Sequence, residues 1–154
     1  MSINYVLYLA GPWSPREAIR ELTRGLPAPE EASSSKGRVA ETTAIPHLWV
    51  VATVPTFPAN RYTEEEYGFF PRLRLQVRLD TENLSQAQDE LLELVSRVLL
   101  GRREDLVLLR EEDNVALLRR GGLLEIHDDA LWASAERRAR AEQWPREVPP
   151  SRGS

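Results

Sequence analysis

Two histidines, a run of three glutamates flanked by tyrosines, and an alternating segment carrying three arginines are the parts of this chain whose residue types bear on chemistry. His47 and His127 do not form a spaced pair such as HxxxH, so a metal centre would have to take its other ligands from carboxylates. They are expected to be ordinary strand-end histidines, and no metal is assigned. With no cysteine in the sequence, thiolate nucleophiles, disulfides and cysteine-based zinc sites are excluded. No GxSxG elbow surrounds any serine, and Ser33-Ser34-Ser35 lies in a segment of linker composition. Gly121-Gly122 is too short to cradle a phosphate and reads as a tight turn. No catalytic residue and no cofactor is assigned.

Glu64-Glu65-Glu66 lies between Tyr62 and Tyr67, in a segment (residues 61–68) that reads as an exposed acidic loop. Paired acids are the chemistry of glycosidases, and an acidic patch is also a docking surface for a basic partner. Runs of charge most often serve solvation, which places catalysis last of the three. As a contact surface the segment has aromatic anchors inside a charged rim. Tyr62, Glu64, Glu65, Glu66 and Tyr67 are therefore the candidate partner-binding residues.

Residues 72–79 alternate polar and apolar without a break, the period of a half-buried strand. Leu73, Leu75, Val77 and Leu79 are expected to face a core, with Arg72, Arg74, Gln76 and Arg78 on the other side. Those arginines suit bidentate clamping of carboxylates or phosphates, and equally the water-facing side of an antiparallel sheet. The net charge of -4 opposes general attraction to phosphate backbones. A nucleic-acid partner is not expected.

The elements that must position these residues follow from the rest of the chain. Asn4 to Leu9 is rich in β-branched and aromatic types and stops at Ala10-Gly11-Pro12, a strand and a turn. Ser14-Pro15-Arg16-Glu17 then supplies an N-cap hydroxyl, proline at the first helical position and glutamate at N3. Ala18, Ile19 and Leu22 form that helix's buried stripe, and Gly25 stops it. Residues 26–37 read as an exposed, mobile loop. Residues 38–43 and 47–54 are expected to pair as a hairpin with Trp49 in the core. Trp13, Trp132 and Trp144 fall at element edges, either covering the core's rim or forming a contact patch. Leu84, Ala87, Leu91, Leu94, Val95, Val98 and Leu99 recur at helical spacing. Three short apolar runs, residues 105–110, 115–119 and 123–127, predict an antiparallel meander. Asp128 or Asp129 caps a last helix through Trp132 toward Gln143.

The expected fold class is α+β. A single domain over residues 1–144 carries a mainly antiparallel sheet of about six or seven strands, with two main helices and a C-terminal helix packed on it. Its order is β-α-β-β-β-α-β-β-β-α, and residues 145–154 read as a flexible tail. No apolar run approaches the ~20 residues that span a bilayer, so no membrane association is expected. The first residues lack the basic start and apolar stretch of a secretory leader, which makes the cytoplasm the expected location.

From Gly68 onward the order of segments resembles the Sit-type immunity proteins, known from the swarm-inhibition toxin systems of myxobacteria and with relatives in other bacteria. The resemblance lies in Gly68-Phe69-Phe70-Pro71 leading into the alternating strand that ends Arg78-Leu79-Asp80, then the Leu- and Val-rich helix. After it come Asp105-Leu106-Val107-Leu108-Leu109, the turn Glu112-Asp113-Asn114, the run from Val115 to Gly122, and Trp132. The first strand with its Ser14-Pro15-Arg16-Glu17 helix start is similar too, so the likeness spans most of residues 4–133. It implies a small protein of bacterial competition that binds and neutralises a cognate protein toxin, with no enzymatic turnover.

Two other classes remain open at this point. One is an oligomeric structural or adaptor module without a toxin partner, pairing through an exposed strand edge. The other is an enzyme using Glu64 to Glu66 with His47 or His127, which requires those side chains to converge in one pocket.

Overall fold

Leu73, Leu75, Val77 and Leu79 are each no more than 2% exposed, and the strand they build lies at the middle of the fold. The computed structural model describes residues 3–26, 32–33, 38–111 and 113–148. In chain order the elements are β1 (Ile3–Leu9), α1 (Pro15–Leu22), β2 (Ala32–Ser33), β3 (Val39–Thr42), β4 (Leu48–Thr53), α2 (Ala59–Tyr67) and β5 (Leu73–Leu79). There follow α3 (Leu84–Gly101), β6 (Leu106–Arg110), β7 (Asn114–Arg120), β8 (Leu123–Ile126) and α4 (Ala135–Glu142). All eight strands form one antiparallel sheet in the order β2-β3-β4-β5-β1-β6-β7-β8. The expected α+β class and element order are present, with β2 and α2 as additions.

One face of the sheet carries the main core. Leu7 and Leu9 of β1, the four apolar residues of β5, Leu106 and Leu108 of β6 and Val50 of β4 all turn toward α1 and α3. Helix α1 begins as its sequence dictates, with Glu17 N–H donating to Ser14 Oγ at 3.2 Å and Pro15 in the first turn. Helix α3 buries Leu91, Leu92, Val95, Val98 and Leu99, each such side chain contributing about 1.5–3 kcal/mol by leaving water. Its start is prepared by Asp80, whose carboxylate accepts from Glu82 N–H at 3.0 Å.

The far end of α3 is closed by an arginine from β7. Arg119 is 2% exposed, and its guanidinium donates to Leu99 O at 3.0 Å, Arg102 O at 2.8 Å and Glu104 O at 3.1 Å. A helix C-terminus leaves carbonyls without intrahelical partners, and here a strand residue satisfies one of them, Leu99 O, together with the carbonyls of the cap residue Arg102 and of Glu104 just beyond.

Several expectations change. Trp49 lies on the opposite face at 37% exposure, because it occupies the odd position in a strand whose even positions, Leu48, Val50 and Ala52, fill the core. Trp13, Trp132 and Trp144 are instead the buried tryptophans. Trp144 Nε1 donates to Ser96 Oγ at 2.9 Å, Trp132 Nε1 to Ala116 O at 3.2 Å, and the two rings meet edge to face at 5.8 Å. The last helical segment divides: Asp129 caps a short 3-10 turn, and Ser134 caps α4. Ala32–Ser33 pairs with β3 as β2, whereas the rest of the predicted loop at 27–31 and 34–37 lies outside the described residues. Of the predicted tail, residues 145–148 run beside β8. Leu124 N–H donates to Arg146 O at 2.8 Å and Val148 N–H to Gly122 O at 2.9 Å. Gly122 has φ of +85°, and a Cβ there would stand 2.4 Å from Val148 O, so no other residue fits without movement. Residues 149–154 lie outside the described part.

Candidate partner interface

The segment carrying Tyr62, Glu64, Glu65, Glu66 and Tyr67 is a helix, α2, and not the expected loop. Glutamate is a good helix former, and the stop is supplied by Gly68, left-handed at φ 83°, whose N–H donates to Glu64 O at 3.0 Å. A left-handed cap of this kind is the conformation that glycine alone adopts without strain. Arg120 of β7 reaches the same end and donates to Tyr67 O at 3.5 Å.

Ala59, Tyr62, Thr63 and Tyr67 recur at helical spacing and turn toward the second face of the sheet. There they enclose, with Tyr8 of β1 and Leu109 of β6, a cleft of about 320 Å³. Of the helix only Thr63 is buried, its hydroxyl donating to Ala59 O at 3.0 Å. Tyr67 packs against the cluster formed by Val6, Tyr8, Phe69, Val107, Leu109 and Leu118. Its phenol is held above the ordinary pKa, first by burial and then by the Glu66 carboxylate, Tyr62 and Asp113. Tyr62 stands at the rim, 64% exposed. Glu64, Glu65 and Glu66 all face solvent. Arg61 pairs with Glu65 at 3.2 Å with both side chains mostly exposed, a contact worth little in water.

The five sequence-predicted residues therefore share one helix but split by role: the tyrosines line the cleft and the glutamates point outward. Sequence reasoning missed Ala59, Thr63, Tyr8 and Leu109. The helical spacing of Ala59, Thr63 and Tyr67 was a usable signal, masked by the expectation that charge and prolines meant a loop.

Beside α2 the sheet face is polar. Arg78 stacks its guanidinium 4.9 Å from the Trp49 ring centre, and Trp49 Nε1 donates to Glu41 at 3.1 Å. Arg74 donates to Tyr8 Oη at 3.3 Å and to Gln76 Oε1 at 3.2 Å. The arginine row thus braces its own neighbours, with Arg72 and Arg78 exposed.

The histidines lie elsewhere. His47 Nδ1 sits 2.5 Å from Glu90 Oε2, and its N–H donates to the other oxygen at 2.8 Å, tying the entry of β4 to α3. His127 is at 3.8 Å from Glu125. His47 lines a cavity with Trp49 and Arg78, His127 one with Trp132 and Arg138, so neither joins Glu64 to Glu66 there. Among the described residues no group of three acids or histidines is placed to hold a metal ion, and no helix is long and apolar enough to cross a membrane. A partly buried polar cluster, Tyr5 Oη donating to Asp129 at 2.5 Å and Arg110 Nε to the same carboxylate at 2.7 Å, joins β1 and β6 to the turn before α4.

No curated protein and no solved structure matches the chain. The model of the SitI3-like family matches residues 3–137, from the first strand into the last helix and through α2 and its cleft. That span holds all eight strands, and the chain belongs to the SitI3-like family of Sit-type immunity proteins.

Proposed function

We propose that this protein binds a cognate bacterial toxin and neutralises it by stoichiometric association, protecting the cell that makes both. The single observation that supports this reading most is the family match over residues 3–137. The geometry agrees with it: a rigid sheet presents an exposed acidic helix bearing Tyr62 and Tyr67, and an inhibitor needs a preorganised surface with complementary charge. The contact surface in this reading is α2, through Tyr62, Glu64, Glu65, Glu66 and Tyr67. Inhibition proceeds by occupation, without turnover, and in the compartment where toxin and protein meet, taken as the cytoplasm.

Co-expression with the toxin-like product of the adjacent gene tests it. Restored growth and a one-to-one complex on a sizing column are expected. Unchanged killing together with no complex would overturn the reading.

A further inference from the structure

We infer that the cleft between α2 and the sheet receives one apolar or aromatic side chain from a basic segment of the partner, and that this anchor carries most of the binding energy. The inference rests on the toxin-binding reading and names what the toxin must present. At about 320 Å³ the cleft lies at the low end of the ~300–1,000 Å³ typical of ligand pockets, a size suited to one large side chain. Its floor is apolar, with Leu109 2% exposed and Ala59 beside it, whereas its wall carries the phenols of Tyr8, Tyr62 and Tyr67.

Tyr8 Oη already accepts from Arg74, but the hydroxyls of Tyr62 and Tyr67 make no hydrogen bond to any described residue. They stand ready for the backbone or a polar edge of whatever enters. Tyr62 remains 64% exposed at the rim, and Phe57, two residues ahead of the helix in sequence, is 75% exposed; contiguous exposed apolar groups mark interaction surfaces. Charge decides the partner's character. Glu64, Glu65 and Glu66 are exposed on the outer side of the same helix, and among the described residues Glu65 pairs with Arg61, whereas Arg74 and Arg120 reach Tyr8 and Tyr67 at the cleft itself, so a Lys or Arg flanking the anchor meets the helix's outer face. Aromatic and arginine side chains in desolvated pockets are the usual dominant contributors to protein interfaces.

The test uses the full chain and the candidate toxin of the co-expression experiment. Ala59→Phe fills the cleft from its own apolar lining and leaves every glutamate in place. Binding is expected to weaken roughly 30-fold or more, through faster dissociation, since a lost anchor acts on the off-rate. Tyr62→Ala, which opens the wall instead of filling the cleft, is expected to weaken binding roughly 10-fold or more. Circular dichroism and melting of both variants identify any that fails to fold, and the other then decides. Wild-type binding with both folded variants within about twofold of it would overturn the anchor inference and leave the toxin-binding reading standing. No wild-type complex at all would remove both. A mass by sedimentation equilibrium that shows the chain alone dimerising, with Ala59→Phe returning it to monomer, would assign the cleft to a second copy and overturn the inference.

Discussion

Arg119 shows how one side chain holds two elements together. Its three donors meet the carbonyls of Leu99, Arg102 and Glu104, and a planar guanidinium matches that fan of acceptors in a way an ammonium does not. Burial lowers the guanidinium pKa, opposed by the nearby charges of Glu104 and Asp105. Arg119→Met strands the three acceptors, so urea denaturation is expected to show a loss of about 2–4 kcal/mol with an unchanged slope. Arg119→Lys should recover only part of it; full recovery would mean that charge alone matters. Tyr5 supplies a pH signature. Burial, then the hydrogen bond and charge of Asp129, hold its phenol above the ordinary value of about 10. The unfolded chain releases this proton near pH ~10 while the folded chain keeps it. The contribution is whole below that pH and is lost as pH rises beyond it. Between about pH 9 and about 11, wild-type stability is expected to fall more steeply than that of Tyr5→Phe, and parallel curves would reject the coupling.

At the scale of elements, β5 and α2 mark what the residues disclose unaided. In β5 the alternation of Leu73, Leu75, Val77 and Leu79 with Arg74, Gln76 and Arg78 is set by the pleat itself, so strand and facing were both legible. The start of α1 was legible for a similarly local reason, the Ser14 to Glu17 cap. Helix α2 was not, because its only buried residue is Thr63 and its apolar stripe is made of tyrosines and alanine. Trp49 was misplaced since aromatic type says nothing about which side of a strand faces the core. Its partner Arg78, fixed by the register with β5, supplies that information only once the sheet is assembled. The cleft needed Tyr8 and Leu109 from two distant strands, a juxtaposition that no local pattern encodes. The sparse burial of α2 has a dynamic consequence: its amides should exchange faster than those of α3, and toxin binding should slow them. Reversal of Glu64, Glu65 and Glu66 to lysine is expected to slow association about 10-fold and flatten its salt dependence. An unchanged association rate would point to another face. Gly68→Ala should cost about 1–2 kcal/mol at the left-handed cap, read by thermal melting.

For the molecule as a whole, one end of the sheet is covered by the chain itself. Beyond β8 the chain itself lies against the edge through Gly122 and Leu124, which keeps that row of backbone groups from pairing with another molecule. Val148→Pro removes the donor to Gly122 and should bring concentration-dependent association by light scattering; a monodisperse variant would show that the cover is dispensable. The order of the strands bears on a different matter, the birth of the protein. β1 lies between β5 and β6, and Leu9 pairs with Leu73 on one side and Leu106 on the other. At about 5–20 residues per second, the ~60 residues that separate β1 from its first neighbour take about 3–12 s to be made. Throughout that interval the most apolar part of the N-terminal strand, Tyr5 to Leu9, has no place to go. A strand that is made well before both of its neighbours stays unpaired until β5 and then β6 leave the ribosome, and the nascent chain carrying it is a natural client for holding chaperones.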